Sequence, residues 1–199
     1  MGSGPGVGDG WARVRTRVGG VGPVGGVALL LASVPVLRMV GWVLGGSHVQ
    51  YGDYWLILDG LLKRGGRPSP RDLVDLYNGH LMAVPKVVYW LNVRAFGGSN
   101  TTLGLVVVAV AAATAVLLLR VVPRGRAVHH LVTGAMVLAT TAFLFAPHGA
   151  WSFLRSMSGT AWLLAGLFAV AAVVVAHVSD RRVVAVGLAT LSGLSYGTG

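Results

Sequence analysis

The chain has 199 residues, of which 54% are hydrophobic and 11% are charged, and its mean hydropathy is +0.72. Soluble domains carry about 25% charged residues, so this composition is that of a membrane protein. The net charge of +10 does not indicate a nucleic-acid-binding protein, because the basic residues lie between long uncharged stretches and do not form one basic face.

The N-terminal arm, residues 1–23, is rich in Gly and carries three arginines, Arg13, Arg15 and Arg17. It has no apolar content to pack, so we predict that it is disordered and cytoplasmic. A cleaved signal peptide is the alternative, but apolar sequence resumes through residues 36–44.

The uncharged stretches predict five membrane-spanning helices, because a span needs about 20 predominantly apolar residues. The expected fold class is therefore all-α, a polytopic bundle of transmembrane helices. We place the spans near residues 24–44, 101–121, 129–147, 159–178 and 183–199. The last span reaches the end of the sequence without a basic flank, so we expect an N-terminal piece of a longer protein.

The apolar segment 81–96 carries Lys86 and Arg94, and its placement decides the predicted topology. If it crosses the membrane, the arginine-bearing loops at 120–126 and 181–182 lie outside, against the positive-inside rule. If it lies on the membrane, both loops lie inside with the N-terminal arm. We therefore predict that residues 45–100 form one external loop of short interfacial helices.

Two helices are predicted in the first part of this external loop. The first runs from Asp53, which can cap it, to Lys63. The second opens at residues 69–72, Ser-Pro-Arg-Asp, which resemble a capping box with Pro at the first helical position. We expect this second helix to extend to Tyr77.

A third loop helix should start near Pro85. Its spacing puts Lys86, Trp90 and Arg94 on one face and apolar residues on the other, as in an interfacial helix. The sequence Gly-Gly-Ser-Asn at residues 97–100 should end it.

Candidate chemistry lies in the external loop, because the chain has no Walker, HExxH or GxSxG motif and no cysteine. Asp53 lies just outside the first span among aromatic residues and can accept a proton from a hydroxyl group. Capping of a helix explains Asp53 equally well. Solvation is the better explanation for Asp59. Asp72 and Asp75 are better explained as acids in the first turn of a helix, where they complement its dipole.

The other candidate residues each have a functional and a structural interpretation. Asn78 and His80 can contact a polar substrate or satisfy local backbone groups. Lys86 and Arg94 can bind a lipid phosphate or anchor the loop at the headgroups. Arg38 is a charged residue within a predicted span, so its side chain should reach the outer interface or face a cavity. Because a charge within a span is costly, Arg38 is also a candidate site residue.

The short loop between the third and fourth spans holds His148, Trp151 and Arg155. We therefore consider His148 and Arg155 as candidates for a second site. His129 and His130 do not predict a metal pair, because neighbouring residues do not share a helix face.

The order of elements resembles the polytopic membrane glycosyltransferases of the GT-C fold. The local match is residues 84–97, which resemble the Pro-x-x-x-Tyr-Trp-Leu-Asn…Phe-Gly stretch of the aminoarabinose and mannosyl transferases. Residues 78–85 resemble the Asn-Glu-His-Arg…Pro run of a group of uncharacterised bacterial membrane proteins, as do residues 151–162 and 195–199. The resemblance covers residues 24–199.

This resemblance implies transfer of a sugar from a polyprenyl-phosphate donor on the external face of the bacterial plasma membrane. Asp53 is then the catalytic base, and three cations hold the phosphate. The expected substrate-binding residues are Arg38, Lys86, Arg94, Asn78, His80, Trp55, Tyr89 and Trp90. The expected partners are membrane lipid and the polyprenyl-phosphate sugar, together with further membrane subunits or a missing C-terminal part, and no nucleic acid.

Two departures from the family limit what can be transferred. Gly79 and Leu81 stand where the Asn-Glu-His-Arg motif has Glu and Arg, and the loop 147–158 lacks the second carboxylate of metal-dependent members. We therefore expect no metal and no cofactor.

The alternative function is a non-catalytic membrane protein, such as a flippase-like or accessory subunit of envelope assembly. Convergence of Asp53, Arg38 and Lys86 on one polar cavity would favour the enzyme, and dispersal of these side chains would favour the accessory role.

Overall fold

The computed structural model describes residues 23–62, 67–121 and 129–198, and these are mostly helical. The helices are α1 Pro23–Leu44, α2 Asp53–Leu62, α3 Pro70–Val74, α4 Ala83–Phe96, α5 Asn100–Arg120, α6 His129–Leu144, α7 Ala150–Leu154, α8 Ser156–Val178 and α9 Arg182–Tyr196. A 3₁₀ turn, Pro147–Gly149, precedes α7. Three strands of two residues each form an antiparallel sheet in chain order: β1 Leu76–Tyr77, β2 His80–Leu81 and β3 Gly197–Thr198.

Four segments of the described chain are long and apolar enough to cross a membrane: Gly25–Leu44, Asn100–Arg120, Leu131–Leu154 and Ser156–Val178. Their length and composition are those of a membrane protein, and the expected helical class is confirmed. Where a fifth span was predicted at 183–199, the structure has α9, an apolar helix of 15 residues that ends at Tyr196. That is shorter than the length of about 20 residues that a span needs.

The surface of these helices fits a lipid environment. Leu30 in α1 is 71% exposed, and Phe143 in α6 is 75% exposed. Runs of exposed large apolar side chains are unfavourable in water and favourable against lipid tails.

Two clusters of buried residues hold the helices together. The first joins α1, α5, α6 and α7, and it contains Met39, Val43, Val107, Val108, Ala111, Phe145 and Phe153. The second joins α2, α4, α5 and α8, and it contains Tyr54, Ile57, Leu58, Met82, Tyr89, Leu103 and Ala161. The second cluster therefore attaches the loop helices to the spanning helices.

The loop helix α3 begins as predicted and ends earlier than predicted. The capping box is present, with the Ser69 side chain accepting from the Asp72 N–H and the Asp72 carboxylate accepting from the Ser69 N–H. The expected extension of this helix to Tyr77 is wrong, because Leu76–Tyr77 is strand β1. Asn78 and Gly79 both have positive φ, 50° and 76°, and they form the tight turn that pairs β1 with β2.

The loop helix α4 has 14 residues and ends at Phe96, at the start of the Gly-Gly-Ser-Asn run that was predicted to end it. Gly97, with a left-handed φ of 62°, is its C-cap. The predicted face of Lys86, Trp90 and Arg94 is not one exposed polar surface. Lys86 is buried, whereas Arg94 is exposed. The helix turns Lys86 inward because Asp72 and Asp75 offer backbone carbonyl groups to its ammonium.

The two ends of segment 45–100 meet at one end of the helix bundle, which we call the loop end. The backbone N–H of Asn100, at the start of α5, donates to the His48 carbonyl at 2.9 Å. At the close of α9, β3 pairs with β2. The start of α8 also lies there, because Asn100 contacts Ser156.

Candidate functional site

Asp53 is the first residue of α2 and is exposed. The chain reaches it through a turn in which the Tyr54 N–H donates to the Tyr51 carbonyl and the Trp55 N–H donates to the Gly52 carbonyl, both at 3.0 Å. This turn places the carboxylate at the loop end, where the sequence located the candidate base.

A cavity of about 300 Å³ lies beside Asp53 at the loop end. One wall is the segment before α2, and the other is the junction of α7 with α8. The lining residues are Gln50, Tyr51, Gly52, Asp53, Arg155, Met157 and Ser158. The site is therefore built by two chain segments that lie about a hundred residues apart.

Asn100 fixes the distance between these two walls. It is 4% exposed, and its amide donates to the Ser47 carbonyl at 2.9 Å and to the Leu154 carbonyl at 2.8 Å. Its side-chain oxygen accepts from the Ser156 hydroxyl at 2.5 Å. One buried side chain thus joins both walls, and nothing in the sequence singled it out.

Arg155 faces the cavity from the α7–α8 junction. Its guanidinium lies 3.9 Å from the centre of the Trp151 ring and 5.2 Å from the centre of the Tyr51 ring. Aromatic faces attract a cation and hold it in place while leaving N–H groups free to donate. The sequence placed Arg155 in a second site, and the structure places it in the same cavity as Asp53.

Tyr77 reaches Asp53 from strand β1. Its hydroxyl lies close enough to the Asp53 carboxylate and the Asn78 side chain for both to shift its pKa. Burial raises the pKa of Tyr77 above its usual value of 10.0, and the hydrogen bond and negative charge of Asp53 raise it further, whereas Asn78 lowers it. Tyr77 therefore stays protonated, so its hydroxyl is a potential donor near the carboxylate.

Lys86 does not line the Asp53 cavity. It is 5% exposed, and its ammonium donates to the Asp72 carbonyl at 2.8 Å and to the Asp75 carbonyl at 2.7 Å. Burial lowers the pKa of Lys86, and the charges of Asp75 and Asp72 oppose this shift. Lys86 borders a separate cavity of about 160 Å³, which Tyr77 also lines.

Arg38 lies in a third cavity, of about 200 Å³, between α1 and α6. Asp53, Lys86 and Arg38 are therefore not brought together on one cavity, and this convergence was the feature that would have favoured the enzyme. The cation that lines the Asp53 cavity is instead Arg155.

The aromatic candidates lie near the site but have different roles. Tyr89 is fully buried and donates to the Met157 carbonyl at 2.7 Å, so it supports the cavity wall from behind. Burial raises the pKa of Tyr89 well above its usual value. Trp55 is 45% exposed, and its indole N–H donates to the Gln50 carbonyl. Trp90 packs against the core cluster of the loop helices.

The remaining candidates lie apart from the cavity lining. Asn78 is in the β1–β2 turn, and the exposed Arg94 lies over the Trp90 ring at 5.9 Å. The His80 ring stacks on Tyr196 at 4.2 Å, and its buried Nδ1 has no hydrogen-bond partner among the described residues.

The arrangement of Asp53, Arg155 and Tyr77 suits proton transfer beside a bound anion. A carboxylate can accept a proton, and a guanidinium next to it can bind a phosphate through several N–H groups. Within the described residues, no group of three or more His, Cys, Asp or Glu side chains could hold a metal ion.

No family model, curated protein or solved structure matches this chain.

Proposed function

We propose that this protein is an integral membrane glycosyltransferase of the GT-C type, which uses a polyprenyl-phosphate-linked sugar. One observation carries the proposal: Asp53 and Arg155 line the same cavity at the loop end of four apolar helices of membrane-spanning length. This reaction uses a general base for the acceptor hydroxyl and a cation for the leaving phosphate, on opposite sides of the anomeric carbon within one site.

The proposed orientation places the loop end on the external face of the bacterial plasma membrane and the N-terminus in the cytoplasm. The positive-inside rule supports it, because Arg120 ends α5 and Arg181 and Arg182 stand at the start of α9, at the opposite ends of these helices, and the sequence between α5 and α6 adds Arg124 and Arg126. The donor then approaches from the lipid, with its phosphate at headgroup level.

In the proposed reaction, the acceptor hydroxyl attacks the anomeric carbon of the sugar and passes its proton to Asp53. The bond between the anomeric carbon and the phosphate oxygen breaks, and polyprenyl phosphate leaves with the bonding electrons. Arg155 neutralises the charge that develops on the departing phosphate. Tyr77 orients the Asp53 carboxylate through its hydroxyl group. Attack opposite the leaving group inverts the anomeric configuration.

This mechanism revises the roles expected from the sequence. Arg155 takes the phosphate-binding role that was assigned to Arg38, Lys86 and Arg94, because it alone of these four cations lines the Asp53 cavity. The Lys86 ammonium already donates to the backbone carbonyls of Asp72 and Asp75.

The test is hydrolysis of polyprenyl-phosphate mannose or polyprenyl-phosphate aminoarabinose by the purified protein in proteoliposomes, in which water takes the place of the acceptor hydroxyl and polyprenyl phosphate is released. We expect Asp53→Asn to slow release by a factor of about 100 or more, because the amide cannot accept the proton. Arg155→Gln should weaken donor binding and slow release.

Asp59→Asn is the matched control, because Asp59 is exposed in the same helix and lies outside the lining of the Asp53 cavity. It should retain normal release. An active Asp53→Asn protein would remove the proposed role of the carboxylate.

The second candidate function is a non-catalytic subunit of envelope assembly, and the separation of Asp53, Lys86 and Arg38 into different cavities favours it. This candidate predicts that the wild-type protein releases no polyprenyl phosphate, and that Asp53→Asn and Arg155→Gln leave donor binding unchanged.

A further inference from the structure

Helices α1 and α6 enclose a groove of about 200 Å³ on the side of the bundle. Its lining is apolar except for one charged side chain: Val34, Pro35, Arg38, Met39, Trp42, Ala142, Phe145 and Pro147. Val34 is 58% exposed, and Ala142 is also exposed, so the groove opens outward from the membrane helices. In a bilayer, this opening faces lipid.

Arg38 brings a positive charge into this groove. Its guanidinium lies 4.5 Å from the centre of the Trp42 ring, and among the described residues it forms no ion pair. A charged residue within a spanning helix is costly unless an anion or water compensates it. Among the described residues, the groove therefore presents a cation without an acidic partner beside an apolar channel.

The position of Arg38 along α1 matches the level of lipid headgroups. It lies six residues before the end of α1 at the loop end, a distance of about 9 Å at about 1.5 Å per residue. An arginine side chain can extend across most of this depth towards the interface. Trp42, one turn closer to the end, is a residue type that prefers the same level.

We propose that the groove between α1 and α6 binds one anionic phospholipid, with the phosphate on Arg38 and one acyl chain against the apolar lining. Charge complementarity selects an anionic lipid, because Arg38 supplies the positive charge and none of the described lining residues is acidic. Within the part of the chain that the structure describes, the groove and the Asp53 cavity share no lining residue. The lipid site is thus independent of the proposed transferase activity.

The experiment is native mass spectrometry of the full chain in detergent, titrated with phosphatidylglycerol and, separately, with phosphatidylcholine. We expect the wild-type protein to retain one phosphatidylglycerol and to bind phosphatidylcholine more weakly. Arg38→Gln should weaken phosphatidylglycerol binding by about tenfold, since a charge-assisted contact is lost. Ala142→Phe, which fills the groove but keeps the charge, should weaken it as well.

Arg120→Gln is the matched control, because it removes the same charge from the end of another membrane helix, α5. It should leave the binding unchanged, and circular dichroism should give equal helix content for all variants. Equal losses in Arg38→Gln and Arg120→Gln would overturn the proposal in favour of unspecific charge attraction. Complete competition by glycerol 3-phosphate, which has no acyl chain, would overturn it in favour of a simple anion site.

Discussion

Lys86 shows how folding changes the chemistry of a single residue. The sequence allows this side chain to reach a lipid phosphate, but the structure buries it against the carbonyl groups of Asp72 and Asp75. Burial disfavours the charged ammonium, so its pKa is lowered from its usual value of 10.5. Lys86 thus ties α4 to the end of α3 below the Asp53 site.

This depressed pKa gives a prediction for pH dependence. The folded protein should release the Lys86 proton at a lower pH than the unfolded chain does. The unfolded chain then binds more protons between the two pKa values, so the free energy of unfolding should rise as the pH rises through this window below 10.5.

The measurement is an NMR titration of ¹³C-labelled lysine, and the chain suits it because it has only two lysines, Lys63 and Lys86. In a Lys63→Arg variant, the remaining signal belongs to Lys86. A midpoint at or above 10.5 would contradict the burial of a charged ammonium at this position.

Asp53 shows the same dependence on surroundings. Its position after the first span was visible in the sequence, whereas its partners were not. Tyr77 lies near it on β1, beside the Asn78–Gly79 turn, and Arg155 lines the same cavity. An Asn-Gly pair strongly favours a hairpin turn, so the β1–β2 hairpin that carries Tyr77 could have been predicted from the sequence.

At the scale of elements, the approach of α7 to α8 depends on a glycine. A Cβ atom at Gly159 would overlap the Ser152 carbonyl oxygen, which cannot move away as a flexible side chain could. Gly166, two turns further along α8, has open space where a Cβ atom would point, with no heavy atom within 4 Å. The two glycines therefore form a matched pair within one helix.

We predict opposite effects of alanine at these two positions. Gly159→Ala should destabilise the protein by about 1–3 kcal/mol or more, since overpacking against backbone forces a shift of α7. Gly166→Ala should be neutral or stabilising by up to about 1 kcal/mol, because alanine favours the helix. Thermal unfolding in detergent, followed by circular dichroism, measures both. A Gly159→Ala protein with an unchanged Tm would contradict the close packing.

At the scale of the whole molecule, the loop end is assembled from distant parts of the chain. Residues 45–100, the α7–α8 junction and the end of α9 meet there through Asn100 and through the pairing of β2 with β3. The α8–α9 turn lies at the opposite end, because α8 runs away from the loop end for 23 residues.

This arrangement predicts a labelling pattern for single cysteines in a chain that has none. Val49→Cys and Ser158→Cys, both exposed at the loop end, should react with an impermeant maleimide added outside intact cells. Asp180→Cys, in the α8–α9 turn, should react only after the cells are opened. The reverse pattern would place the loop end in the cytoplasm and contradict the proposed external reaction.

The sequence by itself determined the membrane class, the places of four long apolar helices, the α3 capping box and the end of α4 before Gly97. These features depend on local composition and spacing, which a single stretch of chain contains. Tertiary structure decided which way Lys86 faces, that Arg155 accompanies Asp53, and that Arg38 lies in a separate groove. These depend on packing between distant segments, because a side chain's partners are set by the three-dimensional approach of helices and not by its neighbours in the chain.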